Sequence, residues 1–279
     1  MAYTAEISRA NPSCFLFLID QSGSMADPFG AAETTRTKAD GVADAINRLL
    51  QNLVIKCAKE EGVRDYYYVG VIGYGAQVGP AFSGPLAGTE LVPISEVGNL
   101  PARIEERTKK VDDGAGGLVD QRIRFPSWFD PVANGGTPMC QALGVAHRIL
   151  QGWLSQHPAC FPPIVINITD GEATDGDPRG PADALRRLSS NDGEVLLFNL
   201  HLSSQRAAPI EFPDSEDGLP DQFARLLFRI SSPLPAYMRS IAQQEGYRVS
   251  EETRGFVFNA DMVAVIRFLD IGTRPSELR

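Results

Sequence analysis

The chain has 279 residues, 43% of them hydrophobic and 22% charged, with a formal net charge of -9. That composition belongs to a globular protein long enough to bury a sizeable core, and the acidic balance leaves no basic stripe to neutralise nucleic-acid phosphates. Residues 1 to 6 carry no basic lead, and no run approaches the roughly 20 apolar residues of a membrane span. A cytoplasmic location is expected, with neither membrane nor nucleic acid as partner. Cys14, Cys57, Cys140 and Cys160 lack a CxxC spacing and read as small buried apolar residues, not as a zinc or redox site.

After a polar lead-in, residues 14 to 19 are six apolar residues without polar alternation, which suits a strand covered on both faces. Asp20 falls at its C-terminal end, and ligands of open α/β sheets collect outside the carboxyl ends of the strands. Asp20, Ser22 and Ser24 place three side-chain oxygens on one tight turn, with Gly23 freeing the backbone to curl. Oxygen donors of this kind suit a hard cation. Residues 37 to 61 repeat apolar positions at three- and four-residue spacing, from Ala39 and Val42 to Leu53 and Cys57, predicting a helix. Thr37 with Asp40 is its start signal and Gly62 its stop. Residues 65 to 75 read as a second strand, and 76 to 100 as a small hairpin or edge strand broken by glycine and proline. Residues 101 to 110 are charged and read as a helix, and 111 to 134 as a long irregular insertion. Within it Arg122, Arg124, Trp128 and Phe129 suit either interface anchors or a satellite core under the loop.

Thr137 occupies an N-cap position and Pro138 the first helical position of a helix running to about residue 155. Met139, Ala142, Leu143, Ala146, Ile149, Leu150 and Trp153 share one of its faces, and His147 lies between them as an ordinary helix residue. Residues 164 to 169 form another apolar strand, ending in Asp170 and Gly171. If this strand neighbours the first, Asp20 and Asp170 meet at one edge of the sheet. Asp175 and Asp177 read as a solvated acidic turn. A helix is expected at 181 to 189, with Ala184, Leu185 and Leu188 inward, and a buried strand at 194 to 202. A second irregular insertion at 203 to 220 carries Asp214, Glu216 and Asp217. Helices at 221 to 230 and 236 to 245, a short strand at 255 to 259 and a closing helix at 261 to 272 complete the chain. With no repeat or linker, the expectation is one domain over residues 1–279, its core at about 11–272. Its fold class is α/β: Rossmann-like, doubly wound, a mostly parallel central sheet with helices on both faces.

Three separated pieces carry a resemblance. DQSGSM, GGTPM and ITDGEATD, in this order and each on the expected element, resemble the metal-ion-dependent adhesion site of von Willebrand factor A domains. The run FPSWFDPVANGGTPM makes the chain most similar to bacterial intracellular members, including the TerY-like proteins of tellurite-resistance and stress-response systems. The resemblance implies metal ligation by Asp20, Ser22, Ser24, Thr137 and Asp170, with Mg2+ or Mn2+ as the ion. It also implies a scaffold or regulatory subunit whose protein partner presents an Asp or Glu carboxylate to the metal, with kinases or phosphatases as associated proteins. Taken singly, Ser22, Ser24 and Thr137 are also ordinary turn and capping residues. No catalytic residue is assigned. The alternative is a metal-dependent phosphatase or hydrolase using Asp20 as nucleophile, but the position two residues on, where such a phosphatase carries its general acid, is Ser22.

Overall fold

The computed structural model describes residues 3–29, 36–112, 117–202 and 208–273. The chain opens with β1 (Ser13–Asp20), a 3-10 turn (Gly23–Ala26) and α1 (Lys38–Cys57), then the two-residue strands β2 (Ala58–Lys59) and β3 (Gly62–Val63). β4 (Tyr67–Tyr74), β5 (Val78–Pro80), β6 (Val92–Pro93) and α2 (Ile94–Asn99) follow. Next come β7 (Arg103–Asp112), β8 (Leu118–Ser127), α3 (Met139–Gln156) and β9 (Ile164–Thr169). The remainder holds α4 (Arg179–Arg186), β10 (Ser189–Ser190), β11 (Gly193–Glu194), β12 (Leu196–Leu202) and β13 (Ile210–Glu211). It closes with α5 (Gln222–Ile230), α6 (Ala236–Gln244), β14 (Phe256–Ala260) and α7 (Met262–Thr273).

Among the described residues an eight-stranded sheet runs β13-β14-β12-β9-β1-β4-β5, with β6 also paired to β4. Its centre, β14 through β4, is parallel, and the antiparallel pairings are confined to β13, β5 and β6. The apolar run of β1 explains its place in the middle, because both of its faces are covered. Phe15, Phe17 and Ile19 enter one cluster with α1, α6 and α7, while Cys14, Leu16 and Leu18 enter the other with α3, α4 and α5. Each such side chain taken from water contributes about 1.5–3 kcal/mol. The result is the doubly wound, Rossmann-like α/β architecture expected from the sequence. Register pairs Ile19 with Ile168, so β1 and β9 end side by side.

Helix α1 begins as its start signal predicts, with a reciprocal capping box between Thr37 and Asp40. It stops at Cys57 and not at Gly62, because residues 58 to 63 form the small β2–β3 hairpin. Gly62, with φ of 119°, supplies a backbone angle there that other residues avoid. α4 buries Ala182 and Leu185 but leaves Ala184 exposed. It ends at Arg186, three residues short of the expected end, since Ser189 and Ser190 pair with β11.

The largest correction concerns residues 101 to 127. The expected charged helix is a strand, β7, and residues 118 to 127 of the expected irregular insertion form its antiparallel partner β8. Residues 101 to 110 offer no apolar stripe that a helix could bury. Extended, the same residues place Glu106 opposite Arg124 and Lys110 opposite Asp120, favourable cross-strand pairs. Residues 113–116 lie outside the described residues, as do 203–207 of the second insertion, in which Ile210 and Glu211 form β13. Trp128 and Phe129 are core, not interface anchors, each 2% exposed. Asn47 of α1 clamps them: its Oδ1 accepts from the amides of Trp128 (2.8 Å) and Phe129 (3.1 Å), and its Nδ2 donates to the Phe129 carbonyl at 2.8 Å. The Trp128 indole donates to the Val97 carbonyl at 2.7 Å. Arg122 and Arg124 remain exposed. All four cysteines are free, and no described helix is long and apolar enough to cross a membrane.

Candidate metal centre

The parallel pairing of β1 with β9 brings the two strand ends to one edge, and three loops close over it. The Gly23 amide donates to the Gly135 carbonyl (3.0 Å), the Asn134 amide to the Gln21 carbonyl (2.6 Å), and the Ala76 amide to the Asn134 carbonyl (2.8 Å). This close approach requires glycine at two positions. A Cβ on Gly75 would lie 2.6 Å from the Asn134 carbonyl oxygen, and one on Gly135, whose φ is 91°, would collide with the Ala76 backbone.

Asp20 is fully buried. Its Oδ1 accepts from the Ser22 amide at 2.8 Å and its Oδ2 from the Thr169 hydroxyl at 2.7 Å. Burial raises the Asp20 carboxyl above the ordinary aspartate range; the bonds from Ser22 and Thr169 oppose this rise and the charge of Asp170 adds to it. Ser22 precedes the 3-10 turn yet its hydroxyl caps nothing; it meets the Ser24 hydroxyl at 3.1 Å. Ser24, on the solvent side, donates to Asp170 Oδ1 at 2.7 Å. Asp20, Ser22, Ser24 and Asp170 are therefore linked in one hydrogen-bonded chain spanning the ends of β1 and β9, through the Ser22 amide at Asp20 and through hydroxyls from Ser22 onward.

Thr137 stands one residue before the helix cap and not at it, a correction to its expected role. The helix boundary falls at Pro138, which offers no side-chain cap. The capping is supplied from the β9–α4 loop: Asp175 accepts from the amides of Cys140 (3.0 Å) and Gln141 (2.9 Å). Thr174 holds the Thr137 backbone, accepting from its amide at 3.0 Å through Oγ1 and donating to its carbonyl at 3.0 Å through its own amide. Relieved of capping, the Thr137 hydroxyl faces the Asp170–Gly171 turn, 3.6 Å from where a Cβ on Gly171 would stand. Asp177 pairs with Arg179.

The site has members that the motif reading missed. Lys38 donates to Asp170 Oδ2 at 2.7 Å, with Asp27 Oδ2 at 3.6 Å. Its signal was a lysine in register with Val42 and Ala45 on the buried face of α1. Thr169, the last residue of β9, orients Asp20. Below the edge a buried polar ladder crosses the sheet: the Tyr74 hydroxyl donates to Asn167 Oδ1 (2.6 Å), Asn167 Nδ2 to Asn199 Oδ1 (2.9 Å), and Asn199 Nδ2 to Ser231 Oγ (2.9 Å). His201, beside Thr169 in the register, stacks on Phe258 at 4.5 Å, and burial drives its pKa down to about 4.

The donor set decides what fits. Two carboxylates and three hydroxyls supply oxygen only, the chemistry of Mg2+ or Mn2+ and not of a thiolate or imidazole metal. Among the described residues no three His, Cys, Asp or Glu side chains cluster as a metal site. A set with two carboxylates and the rest hydroxyls has that composition. The residues present fit a hard divalent cation, with Asp20, Ser22, Ser24, Thr137 and Asp170 as its candidate ligands.

No protein-family model and no curated protein matches the chain. Among solved structures it is similar to proximal thread matrix protein 1 from the mussel byssus, with a TM-score of 0.50 and 13% identity over 96% of this chain and 48% of that one. The chain thus spans about half the length of that protein, and the likeness is one of fold. It is also similar to the vWF domain of the type V pili tip protein Mfa5 from Porphyromonas gingivalis, with a TM-score of 0.33 and 14% identity over 58% of this chain and 39% of that one. By its own topology, this chain has the doubly wound α/β fold that the von Willebrand factor A resemblance implies.

Proposed function

We propose that this chain is a metal-dependent protein-interaction module, a scaffold or regulatory subunit, that binds Mg2+ or Mn2+ at the edge beyond β1 and β9. The observation that carries the reading is the hydrogen-bonded chain that gathers Asp20, Ser22, Ser24 and Asp170 at one edge, joined by the Ser22 amide and the Ser22 and Ser24 hydroxyls. When bound there, a divalent ion supplies an electrophilic position able to take a carboxylate oxygen from a partner's Asp or Glu. The chain's own residues prepare that position. Thr169 and the Ser22 amide fix the Asp20 carboxylate, Ser24 fixes Asp170, and Asp175 frees Thr137 by capping α3 in its place.

Binding accounts for these residues better than catalysis. A nucleophilic Asp20 calls for a general acid two residues later, where Ser22 stands, and both Asp20 oxygens are held by structural donors. The finer reading places the chain as one von Willebrand factor A domain, core about 11–272, in a bacterial, cytoplasmic stress-response or signalling system. Its partners there are proteins, among them kinases or phosphatases, and not nucleic acid or membrane. This reading rests on the sequence motifs and on the net charge of -9.

The test uses Mn2+ and follows water proton relaxation. Protein-bound Mn2+ with open positions is expected to enhance relaxation, a Glu-containing peptide to lower that enhancement, and the matching Gln peptide to leave it unchanged. No enhancement with the wild type, or an enhancement retained in full by Asp170→Asn, would overturn the proposal.

A further inference from the structure

We propose that Lys38 is a built-in cation that competes with the divalent metal for Asp170 and so sets the metal concentration at which the site fills; this rests on the metal reading above. Lys38 is the first residue of α1. A cation is disfavoured at a helix N-terminus, and a lysine ordinarily carries its ammonium to water. Here the side chain is 6% exposed and its ammonium ends 2.7 Å from Asp170 Oδ2. Two unfavourable placements coincide in one residue, and the carboxylate of Asp170 is what compensates them.

Asp170 is engaged on both oxygens, Oδ1 by the Ser24 hydroxyl and Oδ2 by Lys38, and its side chain is 0% exposed. With Lys38 in place, the pair Asp20 and Asp170 offers an incoming divalent ion one net negative charge instead of two. Metal and ammonium repel each other across the same carboxylate. The structure also supplies a second seat for the ammonium. Asp27 Oδ2 lies 3.6 Å from Nζ on a side chain that is 57% exposed, so Lys38 can turn toward it and keep an ion pair while releasing Asp170. Thr37 and Asp40 cap the helix start, and the Lys38 amide donates to the Asp27 carbonyl at 3.0 Å. The exchange therefore needs only side-chain rotation.

Titration calorimetry with Mn2+ and with Mg2+ tests this on the full chain, comparing wild type, Lys38→Met and Lys38→Gln, with the melting temperature of each read with and without metal. Removing the competing charge is expected to tighten metal binding by about tenfold or more, and to enlarge the rise in melting temperature that metal produces. Lys38→Gln keeps a hydrogen-bond donor for Asp170, so it reports on the charge even if Lys38→Met does not fold. Equal or weaker binding in the folded variants would overturn the role of Lys38 and leave the metal site standing. Binding by none of the proteins would overturn the metal reading, and the Lys38 proposal with it.

Discussion

At the sheet edge, residues from β1, the start of α1, the β9 end and the loop before α3 meet across long stretches of chain; Thr169 bonds to Asp20 over 149 positions. β7 and β8 instead bond to each other through an unbroken register from Arg103–Ser127 to Asp112–Leu118. They touch the body of the protein at their base. There Phe125 is buried, with the Arg107 guanidinium 3.5 Å over its ring, and Arg107 pairs with Asp44 of α1. Stability and chemistry part company between these two regions. The edge hydroxyls hold charged oxygens in position and bury little apolar surface, so they can be lost without unfolding. The hairpin base buries aromatic area and carries no chemistry, and its loss is felt by the whole fold.

Breaking the hairpin base is the largest expected effect. Trp128→Ala deletes a buried ring and its bond to the Val97 carbonyl, and should cost about 3–5 kcal/mol in urea unfolding. A loss below about 1 kcal/mol would show that the ribbon is peripheral to the core. Next comes acid sensitivity at the edge. The folded pKa of His201 lies below its ordinary value, at about 4, so the unfolded state binds the proton first as pH falls. Stability is then full above about pH 6.5 and is lost on the way down to about 4, by an amount on the order of 3 kcal/mol. His201→Asn, which keeps an acceptor for the Asn259 amide, should flatten that part of the pH–stability curve. An unchanged slope would assign the acid loss to other groups. Asp175→Ala removes the cap of α3 and should cost about 1 kcal/mol; no change would return the capping role to Thr137. Arg124→Ala, on the exposed hairpin, should stay within about 0.5 kcal/mol of wild type.

The same contrast explains what could be read from the sequence. β1 announces itself as a continuous apolar run because both faces are buried, β9 and β12 as apolar runs interrupted only by Asn167, Thr169, Asn199 and His201, and α1 and α3 show their buried stripes at helical spacing. Asp20 and Asp170 follow from strand ends, and Ser22 and Ser24 from proximity to Asp20. The hairpin was not legible from charge density, since Glu106 and Lys110 come opposite Arg124 and Asp120 only once the two strands are paired. The signal available was the alternation of Val119, Ile123 and Phe125 with Arg122 and Arg124. Lys38 escaped for a different reason. A charged residue on an apolar helix face gains meaning only with its partner, and Asp170 lies 132 positions away. The cap position of α3 falls one residue past Thr137 because Asp175, the group that satisfies the first helical amides, comes from a separate loop.

The most direct test of the central claim is calorimetric titration of Mg2+ and Mn2+ into metal-free protein, wild type against a Ser22→Ala, Ser24→Ala double variant, each checked for fold by circular dichroism. Binding by the wild type is expected, with its loss in a double variant that remains folded. Equal binding by the two proteins, or none by either, would contradict it.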